Sequence, residues 1–422
     1  MVLIASRIFL AILIFLFSCK KAPEKRIEDP SKAVYLVRIN YPVFWDDLNF
    51  KGLETAIKRN LEYLERLSPF FEFRYGKDTY TCRDVIESQK FLLDFIKKNP
   101  TVDELNRMIM KNYVLYRAAG RAKKGDVLFT GYYEPVFEAR LKPDSVFRYP
   151  IYRRPEDMIV IDLSLFSERF RGQRIIARIE GRKILPYYSR EQIELQGVLK
   201  GRGLEIAYLK DPLEIMILQI QGSGKLLLPD GRVLNVGYSI SNGRPFRSIG
   251  RYLVEKGYLK KDELSLQAIK RLVQENPEIY RELARYNPSY VFFKVKKDGP
   301  RGNINVVLTS GRSIALDYRL FPKGALAFIE TKIPVVDSEG NLSGWKKIKR
   351  FVLNQDTGGA IRGAGRCDLF FGTGKMAGIA AGYMKQKGSL YLLVKRKGKE
   401  HPLIRKLREI CYFLKKHIKV LD

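Results

Sequence analysis

Residues 356–374 read DTGGAIRGAGRCDLFFGTG, and this stretch decides how the last third of the chain is interpreted. The apolar run at residues 351–353 before it predicts a buried strand. The glycines that follow permit turns and close backbone approaches that other residues resist. A second apolar run, at residues 369–371, then predicts that the chain turns sharply and returns as another strand.

Asp368 stands at the end of this glycine-rich loop, directly before a Leu and two Phe residues. Partial burial among apolar neighbours disfavours the charged form of a carboxyl group and raises its pKa. A carboxyl that is protonated near neutral pH can act as a general acid. An Asp beside Gly is also a common turn residue or helix cap, so the loop alone leaves both interpretations open.

The composition narrows the class of protein. The 422 residues include 77 Lys and Arg against 46 Asp and Glu, a formal net charge of +31. Nucleic acid, anionic lipid or an acidic cell-wall polymer would suit so basic a chain, and so would an ordinary solvated surface. His401 and His417 are the only histidines in the sequence, which argues against a His-based zinc site or a Ser-His-Asp triad. We expect no metal and no cofactor.

The N-terminus resembles the leader of a bacterial lipoprotein. Residues 1–18 contain one Arg and a short apolar run, which predicts a secretory signal. The sequence LFSC at residues 16–19 resembles a lipobox, which predicts that Cys19 is lipidated and that residues 19–33 form a polar tether. An uncleaved anchor helix, or a Cys that stands there by chance, is the alternative. Either outcome places the mature chain outside the cytoplasm and argues against a nucleic-acid partner.

The sequence TGYYEP at residues 130–135 suits a sugar ligand. A short strand is predicted just before it, at residues 127–129. Thr130, Tyr132 and Tyr133 would offer hydroxyl groups and exposed aromatic faces on which a pyranose ring can stack. An edge strand with core tyrosines is the alternative.

The sequence QIQGSG at residues 219–224 suggests a second polar surface. Gln219 and Gln221 alternate with Ile220, so both amides would point to one face of a strand before a glycine turn. Paired amides suit hydrogen bonding to a polar ligand, and a solvated strand face is the alternative.

The remaining patterns outline the fold. Residues 35–118 begin as a strand and continue with helical periodicity, whose third segment is predicted at residues 102–116. The last third is rich in strands with short turns, which favours a small β-barrel or sandwich. The basic tail from residue 395 is predicted to form a helix that lies on a membrane or, as we favour, docks on the body. Its apolar stripe consists of Leu403, Leu407, Ile410, Leu414 and Ile418.

Six motifs occur in order along the chain, and together they resemble the membrane-bound lytic murein transglycosylase A family. The last motif also occurs in the 3D domain of other cell-wall proteins, and the likeness covers roughly residues 129–394. The motifs are FTGYYEP at 129–135, YPIYRRP at 149–155, QIQGSG at 219–224, NGRPFRSIG at 242–250, NPSYVFF at 287–293 and the loop at 356–374.

This resemblance implies a β-rich α+β fold with a double-psi β-barrel. The barrel domain would comprise residues 34–135 and 300–396, including the 3D motif at 337–374. Residues 136–299 would form an inserted second β-rich domain, and a glycan groove would run between the two. Residues 397–422 are a basic amphipathic extension outside the family pattern.

The resemblance also implies an activity. Such enzymes cleave the β-1,4 bond between N-acetylmuramic acid and N-acetylglucosamine in peptidoglycan without water and leave 1,6-anhydromuramoyl ends. Asp368 matches the family's single catalytic Asp, which acts first as acid and then as base. We assign Asp356 to loop geometry or polar ligand contacts, and Asp337 to a turn. The groove residues would be Thr130, Tyr132, Tyr133, Gln219, Gln221, Ser223 and Gly224.

The expected partners are peptidoglycan glycan strands and a membrane, reached through the lipid on Cys19. Family logic favours the outer membrane, and any cell-wall synthesis or division partner is unknown. Two rival functions remain open. One is a non-catalytic peptidoglycan-binding lipoprotein, and the other is a hydrolase in which Glu134 supplies a second carboxylate beside Asp368.

Overall fold

The computed structural model describes residue 27 and residues 29–121, 125–260, 263–264, 266–398 and 401–418. The predicted signal peptide, Cys19 and the first part of the predicted tether lie outside these residues. Within the described part of the chain, no helix is long and apolar enough to cross a membrane.

The described residues form ten α-helices and nineteen strands. The helices are α1 Leu53–Leu64, α2 Cys82–Ile96, α3 Val102–Asn112, α4 Arg190–Glu194, α5 Pro212–Gln221, α6 Ile249–Glu255, α7 Leu266–Glu275, α8 Pro277–Tyr286, α9 Lys375–Tyr383 and α10 Pro402–Ile418. The strands are β1 Val34–Val37, β2 Glu72–Tyr75, β3 Asp78–Thr81, β4 Tyr113–Ala118, β5 Val127–Glu134, β6 Val136–Glu138, β7 Tyr149–Tyr152, β8 Ile159–Asp162, β9 Arg174–Glu180, β10 Lys183–Pro186, β11 Glu205–Leu209, β12 Ser223–Leu227, β13 Val233–Ser241, β14 Val291–Lys296, β15 Ser313–Ala315, β16 Leu326–Val336, β17 Leu342–Asp356, β18 Arg366–Thr373 and β19 Lys385–Lys395.

Six strands close into a barrel in the order β19-β16-β17-β15-β18-β5, and β5 pairs back onto β19. Most neighbours are antiparallel, but β5 runs parallel to β18, and β15 runs parallel to β17. Strands β4 and β1 continue the sheet beyond β19. The small β-barrel predicted from the short-turned last third is therefore confirmed, with one strand contributed from before residue 135.

The alternation of side chains along β5 and β18 separates the main core from the opposite face. Val127 and Phe129 of β5, with Cys367 and Leu369 of β18, lie in the large core cluster that also contains residues of α1, α2 and α3. Because successive side chains point to opposite faces, the residues between them face away from this core. The opposite face carries the candidate site described below.

Residues 136–299 contain β6 to β14 and α4 to α8, arranged around small sheets. The largest has the order β14-β13-β12-β6, and the others are β10-β9-β8 and β11-β7. A hairpin joins β12 to β13, which pair antiparallel. Separate hydrophobic clusters stabilise this part of the chain.

The strand predicted for residues 219–221 is wrong, because these residues form the last turn of α5, whereas Ser223 and Gly224 begin β12. Asp211 caps the helix by accepting from the backbone N–H of Leu213, and Pro212 occupies the first turn. Gly222 then ends the helix in a left-handed conformation with φ of +79°. The Gln-Ile-Gln alternation is too short to outweigh these start and stop signals.

The third helix predicted in the N-terminal part is too long. It ends at Asn112, and Tyr113–Ala118 forms β4, which pairs with β19 and β1. The aromatic and β-branched sequence YVLYRA favours a strand once a sheet edge is available.

Two buried ion pairs tie the segment before α1 to the barrel. Arg312 forms a bidentate pair with Asp46 at 2.6 and 2.8 Å, and both side chains are fully buried. Arg350 of β17 forms a second bidentate pair with Asp47 at 2.9 and 2.6 Å. These contacts fix the segment at 46–51 on β15 and β17.

We predict that Asp46→Ala lowers the free energy of unfolding of the barrel by about 3–5 kcal/mol, because the buried charge of Arg312 loses its partner. Urea unfolding followed by tryptophan fluorescence measures this, since both tryptophans, Trp45 and Trp345, lie in the barrel part. Glu255→Ala is the matched control, because its pair with Arg251 is exposed and contributes less than about 1 kcal/mol. Equal effects of the two substitutions would contradict the prediction.

Candidate active site

A lateral row of residues crosses four neighbouring strands and brings polar side chains together. Thr130 of β5 pairs with Asp368 of β18, and Asp368 pairs on its other side with Ala315 of β15. Ala315 in turn pairs with Asp356 of β17. Directly opposed residues share one face of a sheet. We call Thr130, Asp368, Ala315 and Asp356 the carboxylate row.

A β-bulge places Asp356 in the carboxylate row. The register of β17 shifts by one residue at Ala315, so that Gln355 is the extra residue. Without the bulge, Asp356 would face the opposite side of the sheet. Gln355 is fully buried, where it accepts a hydrogen bond from Ser313 Oγ at 2.6 Å and donates to the carbonyl of Ala56 at 3.1 Å. These core contacts hold the bulge in place.

Apolar side chains surround Asp368. Tyr132 and Phe370 lie two residues further along β5 and β18, with ring centroids 5.2 Å apart. Their cluster also includes Leu308, Ala315 and Ile361. Burial in this setting raises the pKa of Asp368 above its ordinary value, as expected from the apolar residues that follow it in sequence.

Two polar neighbours oppose this rise in the pKa of Asp368. Thr130 Oγ1 donates a hydrogen bond to Oδ1 of Asp368, and the positive charge of Arg366 lies nearby. Both interactions favour the carboxylate form. Asp368 can therefore hold a proton and is also stabilised after losing it.

Asp356 has a different environment. Its Oδ1 accepts the backbone N–H groups of Asn303 at 2.9 Å and Thr357 at 2.8 Å. Burial raises the pKa of Asp356 to about 6, a rise that these two donors oppose and the nearby charge of Asp368 adds to. Burial, followed by the charges of the two acids, also raises the pKa of Tyr132 well above its usual value. The two acids and the Tyr132 hydroxyl thus form one coupled group.

The glycine-rich loop is anchored by an acid that the sequence analysis missed. Fully buried Asp317 accepts the backbone N–H of Gly363 at 2.8 Å and pairs with Arg319 at 2.7 Å. Gly363 has a φ of +83°, and a Cβ at Gly365 would lie 2.5 Å from the side chain of Arg121. The loop geometry therefore requires glycine at both positions. The only sequence signal for Asp317 is its place directly after the short apolar run at 314–316.

Tyr132 and Tyr133 are not exposed, so the predicted aromatic stacking platform is wrong. Each is 9% exposed, and β5, which has a partner strand on both sides, is not an edge strand. The ring of Tyr132 packs on Phe370, and that of Tyr133 packs on α9, where a Cβ at Gly378 would lie 2.6 Å from the ring.

The groove residues predicted within the sequence QIQGSG at 219–224 separate into two groups. Gln221 Oε1 accepts the backbone N–H of Tyr133 at 3.1 Å and so connects the end of α5 to β5. Gln219 instead is buried and accepts a hydrogen bond from Arg190. Ser223 is half-buried at the start of β12, and Gly224 is buried in the same strand. Of these four residues, Gln221 is the one whose side chain connects to β5 by a hydrogen bond in the described part of the chain.

Glu134 lies far from Asp368. It pairs in register with Thr373, four residues beyond the Thr130–Asp368 pair, or about 13 Å at roughly 3.3 Å per residue. Its buried carboxylate accepts from the Thr373 hydroxyl at 2.6 Å and lies 3.7 Å from Lys225 Nζ. Burial raises the pKa of Glu134.

Asp337 occupies the turn between β16 and β17, as predicted for a structural residue. It accepts the backbone N–H groups of Glu339 at 3.0 Å and Asn341 at 2.8 Å. Hydrogen bonds from Asn341 lower the pKa of Asp337. Within the described ranges, no group of three or more His, Cys, Asp or Glu side chains is arranged to hold a metal ion.

Two family models match the chain. Residues 128–294 match the MltA specific insert domain, and residues 312–394 match the 3D domain. Among curated proteins, the chain is 35% identical to membrane-bound lytic murein transglycosylase A of Vibrio cholerae over 65% of this chain and 67% of that protein. It is 34% identical to the Escherichia coli K12 protein of the same name, over 66% and 68%.

Solved structures of similar proteins share the fold. A membrane-bound lytic murein transglycosylase from Agrobacterium tumefaciens has a TM-score of 0.67 and 29% identity, covering 82% of this chain and 93% of that one. The structure of E. coli MltA with bound chitohexaose has a TM-score of 0.65 and 26% identity, covering 89% and 100%. The comparisons and the barrel agree on a β-rich, barrel-containing fold.

We predict that Asp356→Asn changes how the stability of the barrel depends on pH. The pKa of Asp356 is raised from 3.8 to about 6, so the folded state favours its protonated form. The resulting stabilisation is fully present below about pH 3.8 and is lost as the pH rises through about 6. Asn keeps Oδ1 for both backbone donors and cannot ionise. Relative to wild type, the variant should therefore gain up to about 3 kcal/mol between about pH 4 and about pH 7.

Asp337→Asn is the control for this experiment, because the pKa of Asp337 is lowered rather than raised. The stabilisation from ionised Asp337 is present above about pH 3.8 and is lost only as the pH falls below that value, so the stability of Asp337→Asn relative to wild type should change little between about pH 5 and about pH 7. Urea unfolding at each pH, followed by tryptophan fluorescence, measures both variants. A pH-independent difference between Asp356→Asn and wild type would show that Asp356 titrates like an exposed Asp.

Proposed function

The chain belongs to the membrane-bound lytic murein transglycosylase A family, and we propose that it is a peptidoglycan lytic transglycosylase. It would cleave the β-1,4 bond between N-acetylmuramic acid and N-acetylglucosamine without water and leave 1,6-anhydromuramoyl ends. The observation that carries this proposal is the setting of Asp368, a carboxyl with a raised pKa among apolar side chains and beside a hydroxyl donor.

In the first step, protonated Asp368 donates its proton to the glycosidic oxygen while the bond from that oxygen to C1 breaks. Burial supports this role because it keeps the carboxyl protonated at a higher pH than an exposed Asp. General acid catalysis of this kind contributes about 10²- to 10⁴-fold. The leaving N-acetylglucosamine unit departs with the proton on its O4 oxygen.

In the second step, the Asp368 carboxylate takes the proton from the C6 hydroxyl of the muramoyl sugar, and O6 bonds to C1. This closes the 1,6-anhydro ring and returns the proton to Asp368, so the enzyme is regenerated without water. An intramolecular hydroxyl has a high effective concentration at C1. Thr130 stabilises the carboxylate between the two steps through its hydrogen bond.

One carboxyl suffices for this reaction, and the position of Glu134 disfavours the rival hydrolase that uses it. Along the strands, the backbones of Asp368 and Glu134 are roughly 13 Å apart, whereas about 5–9.5 Å separates the two carboxyl groups of ordinary glycosidases, and the Glu134 carboxylate is held by Thr373 and Lys225. Asp356 lies nearer, two strand spacings or about 10 Å from Asp368 at the backbone. We assign it to shaping the loop and to polar contacts with the ligand, because its Oδ1 already accepts two backbone donors.

The substrate would lie in a groove between the barrel and residues 136–299. Thr130, Tyr132 and Tyr133 would support the groove from the β5 side, with the two tyrosines acting through packing. On the opposite side, Gln221 and Ser223 would line the groove, and the buried Gln219 and Gly224 would support it through packing. The chitohexaose bound to E. coli MltA supports a glycan ligand for this fold. The formal charge of +31 suits an anionic wall polymer.

We further propose a cell-envelope location, with a lipid on Cys19 and residues 19–33 as the tether. The membrane-bound relatives support an envelope location, and family logic favours the outer membrane facing the periplasm.

The proposal also includes a division of the chain into domains. The barrel domain would comprise residues 34–135 and 300–396, with residues 136–299 inserted and an extension at 397–422. The double-psi type of the barrel, which the parallel pairs β5–β18 and β15–β17 support, is part of the same proposal.

Asp368→Asn should reduce cleavage of purified sacculi at least about 10³-fold while sacculus binding persists, because Asn cannot donate or take the proton. Mass spectrometry of the soluble products measures the outcome. Asp337→Asn is the control and should keep wild-type activity, since Asp337 lies in an exposed turn. Anhydromuramoyl products from wild type support the lyase, reducing ends would indicate a hydrolase, and no products would indicate a binder.

Thr130→Val should shift the high-pH limb of the rate profile to higher pH and lower the maximal rate about tenfold. The hydroxyl lowers the pKa of Asp368 and stabilises its carboxylate, so its loss raises that pKa further. Thr130→Ser keeps the hydroxyl donor. It should return the high-pH limb to its wild-type pH and restore most of the maximal rate. A drop in rate with an unmoved limb would assign Thr130 a packing role only.

A further inference from the structure

The C-terminal helix α10 docks on the protein through an arginine. Arg408 is 1% exposed, and its Nε donates to the carbonyl of Arg38 at 2.9 Å while Nη1 donates to that of Met110. Its guanidinium lies over the ring of Tyr41, 4.4 Å from the centroid. The docking expected from the sequence is therefore present.

Further polar contacts lie on the same side of α10. The Tyr412 hydroxyl donates to Asp103 of α3 at 2.8 Å, and Lys415 Nζ donates to the carbonyl of Tyr41 at 2.8 Å. Cys411 Sγ lies 3.5 Å from the Asn40 side chain. The docked face is thus built largely from polar and aromatic side chains.

The apolar stripe of α10 is not the docked face. Leu403, Leu407, Ile410 and Leu414 are 40–57% exposed. Their spacing of four, three and four residues places them on one side of the helix. A surface helix ordinarily buries its apolar side and exposes its polar side, and α10 does the reverse.

Basic residues accompany this exposed stripe. Residues 395–422 contain ten Lys and Arg against three Asp and Glu. Arg405 and Lys406 are exposed within α10 itself. An exposed apolar stripe with neighbouring basic residues is typical of helices that lie in the interface of an anionic bilayer.

The helix also lies beside the N-terminal end of the folded part. The residues that it contacts, Arg38, Asn40 and Tyr41, follow the predicted tether at 19–33 within a few positions. Leu36 and Ile39 in the same segment are each 38% exposed and add to the apolar surface. A chain anchored at its N-terminus would therefore bring this side of the molecule near the bilayer.

We propose that α10 is an interfacial membrane-binding helix whose occupant is an anionic phospholipid bilayer. The stripe lies at the boundary of the acyl chains, and the basic side chains contact phosphate headgroups. A second copy of the chain fits less well, because four side chains provide far less than the about 800 Å² per partner of a stable dimer. The excess of basic residues would also repel an identical surface. The orientation argument rests on the proposed envelope location, whereas the stripe and its charge do not.

Vesicle co-sedimentation tests this proposal. The protein is the chain from residue 19 onward with Cys19→Ser, which cannot be lipidated and keeps every residue that the structure describes. It should bind vesicles of phosphatidylglycerol and phosphatidylcholine at low salt, and bind pure phosphatidylcholine at least about tenfold more weakly. Leu407→Gln/Ile410→Gln should weaken binding to the anionic vesicles about tenfold or more without any change in net charge.

The matched control is Leu165→Gln/Phe166→Gln, which removes two exposed apolar side chains from the inserted elements and should leave vesicle binding unchanged. Equal binding by the stripe variant and wild type would overturn the proposal. So would a dimer in sedimentation equilibrium that the stripe variant abolishes, since a second copy would then cover the helix. Cleavage of sacculi by the same proteins is measured separately. Failure of α10 to bind lipid would leave the transglycosylase proposal intact, and failure to cleave sacculi would leave the membrane-binding proposal intact.

Discussion

The parallel pairing of β5 with β18 is the constraint on which the rest of the site depends. It joins strands whose paired residues, Thr130 and Asp368, are 238 positions apart in the chain. The same pairing helps to close the barrel, since β5 also pairs with β19. Because closure fixes the register on both sides of β5, Thr130 lies opposite Asp368 on one side and Lys385 on the other. The hydrogen bond to Asp368 is thus a consequence of barrel closure.

The bulge at Gln355 adds the second half of the arrangement. A strand has a side-chain period of two, so one extra residue decides whether Asp356 faces Asp368 or the core. The fully buried amide of Gln355, bonded to Ser313 and to the carbonyl of Ala56, stabilises that extra residue. A core contact on one side of the sheet therefore determines the electrostatics on the other side.

Local sequence signals predicted the parts of this structure that depend on local chemistry. The strands of the last third, the glycine loop and the apolar setting of Asp368 were all recognisable, because side-chain pattern and glycine geometry act over a few residues. Burial of Tyr132 and Tyr133 was not, since it depends on Phe370 and α9, which are distant in sequence and pack on the two rings. The same holds for the bulge, which becomes visible only when β17 is aligned with β15. At α5, the cap Asp211 and the stop Gly222 were local signals that outweighed a short alternation.

The proposed chemistry requires opposite properties of one carboxyl, and the surroundings of Asp368 supply both. Apolar packing by Tyr132 and Phe370 favours the protonated acid, whereas Thr130 favours the carboxylate that must next accept a proton. A more buried Asp without the hydroxyl would be a good acid and a poor base, and an exposed Asp would be ionised before the first step. The two-sided environment of Asp368 follows from its strand position, because Phe370 lies two residues further along the same face, whereas Thr130 across the face and Arg366 two residues earlier favour the carboxylate. A single residue can therefore serve both steps without a second carboxylate.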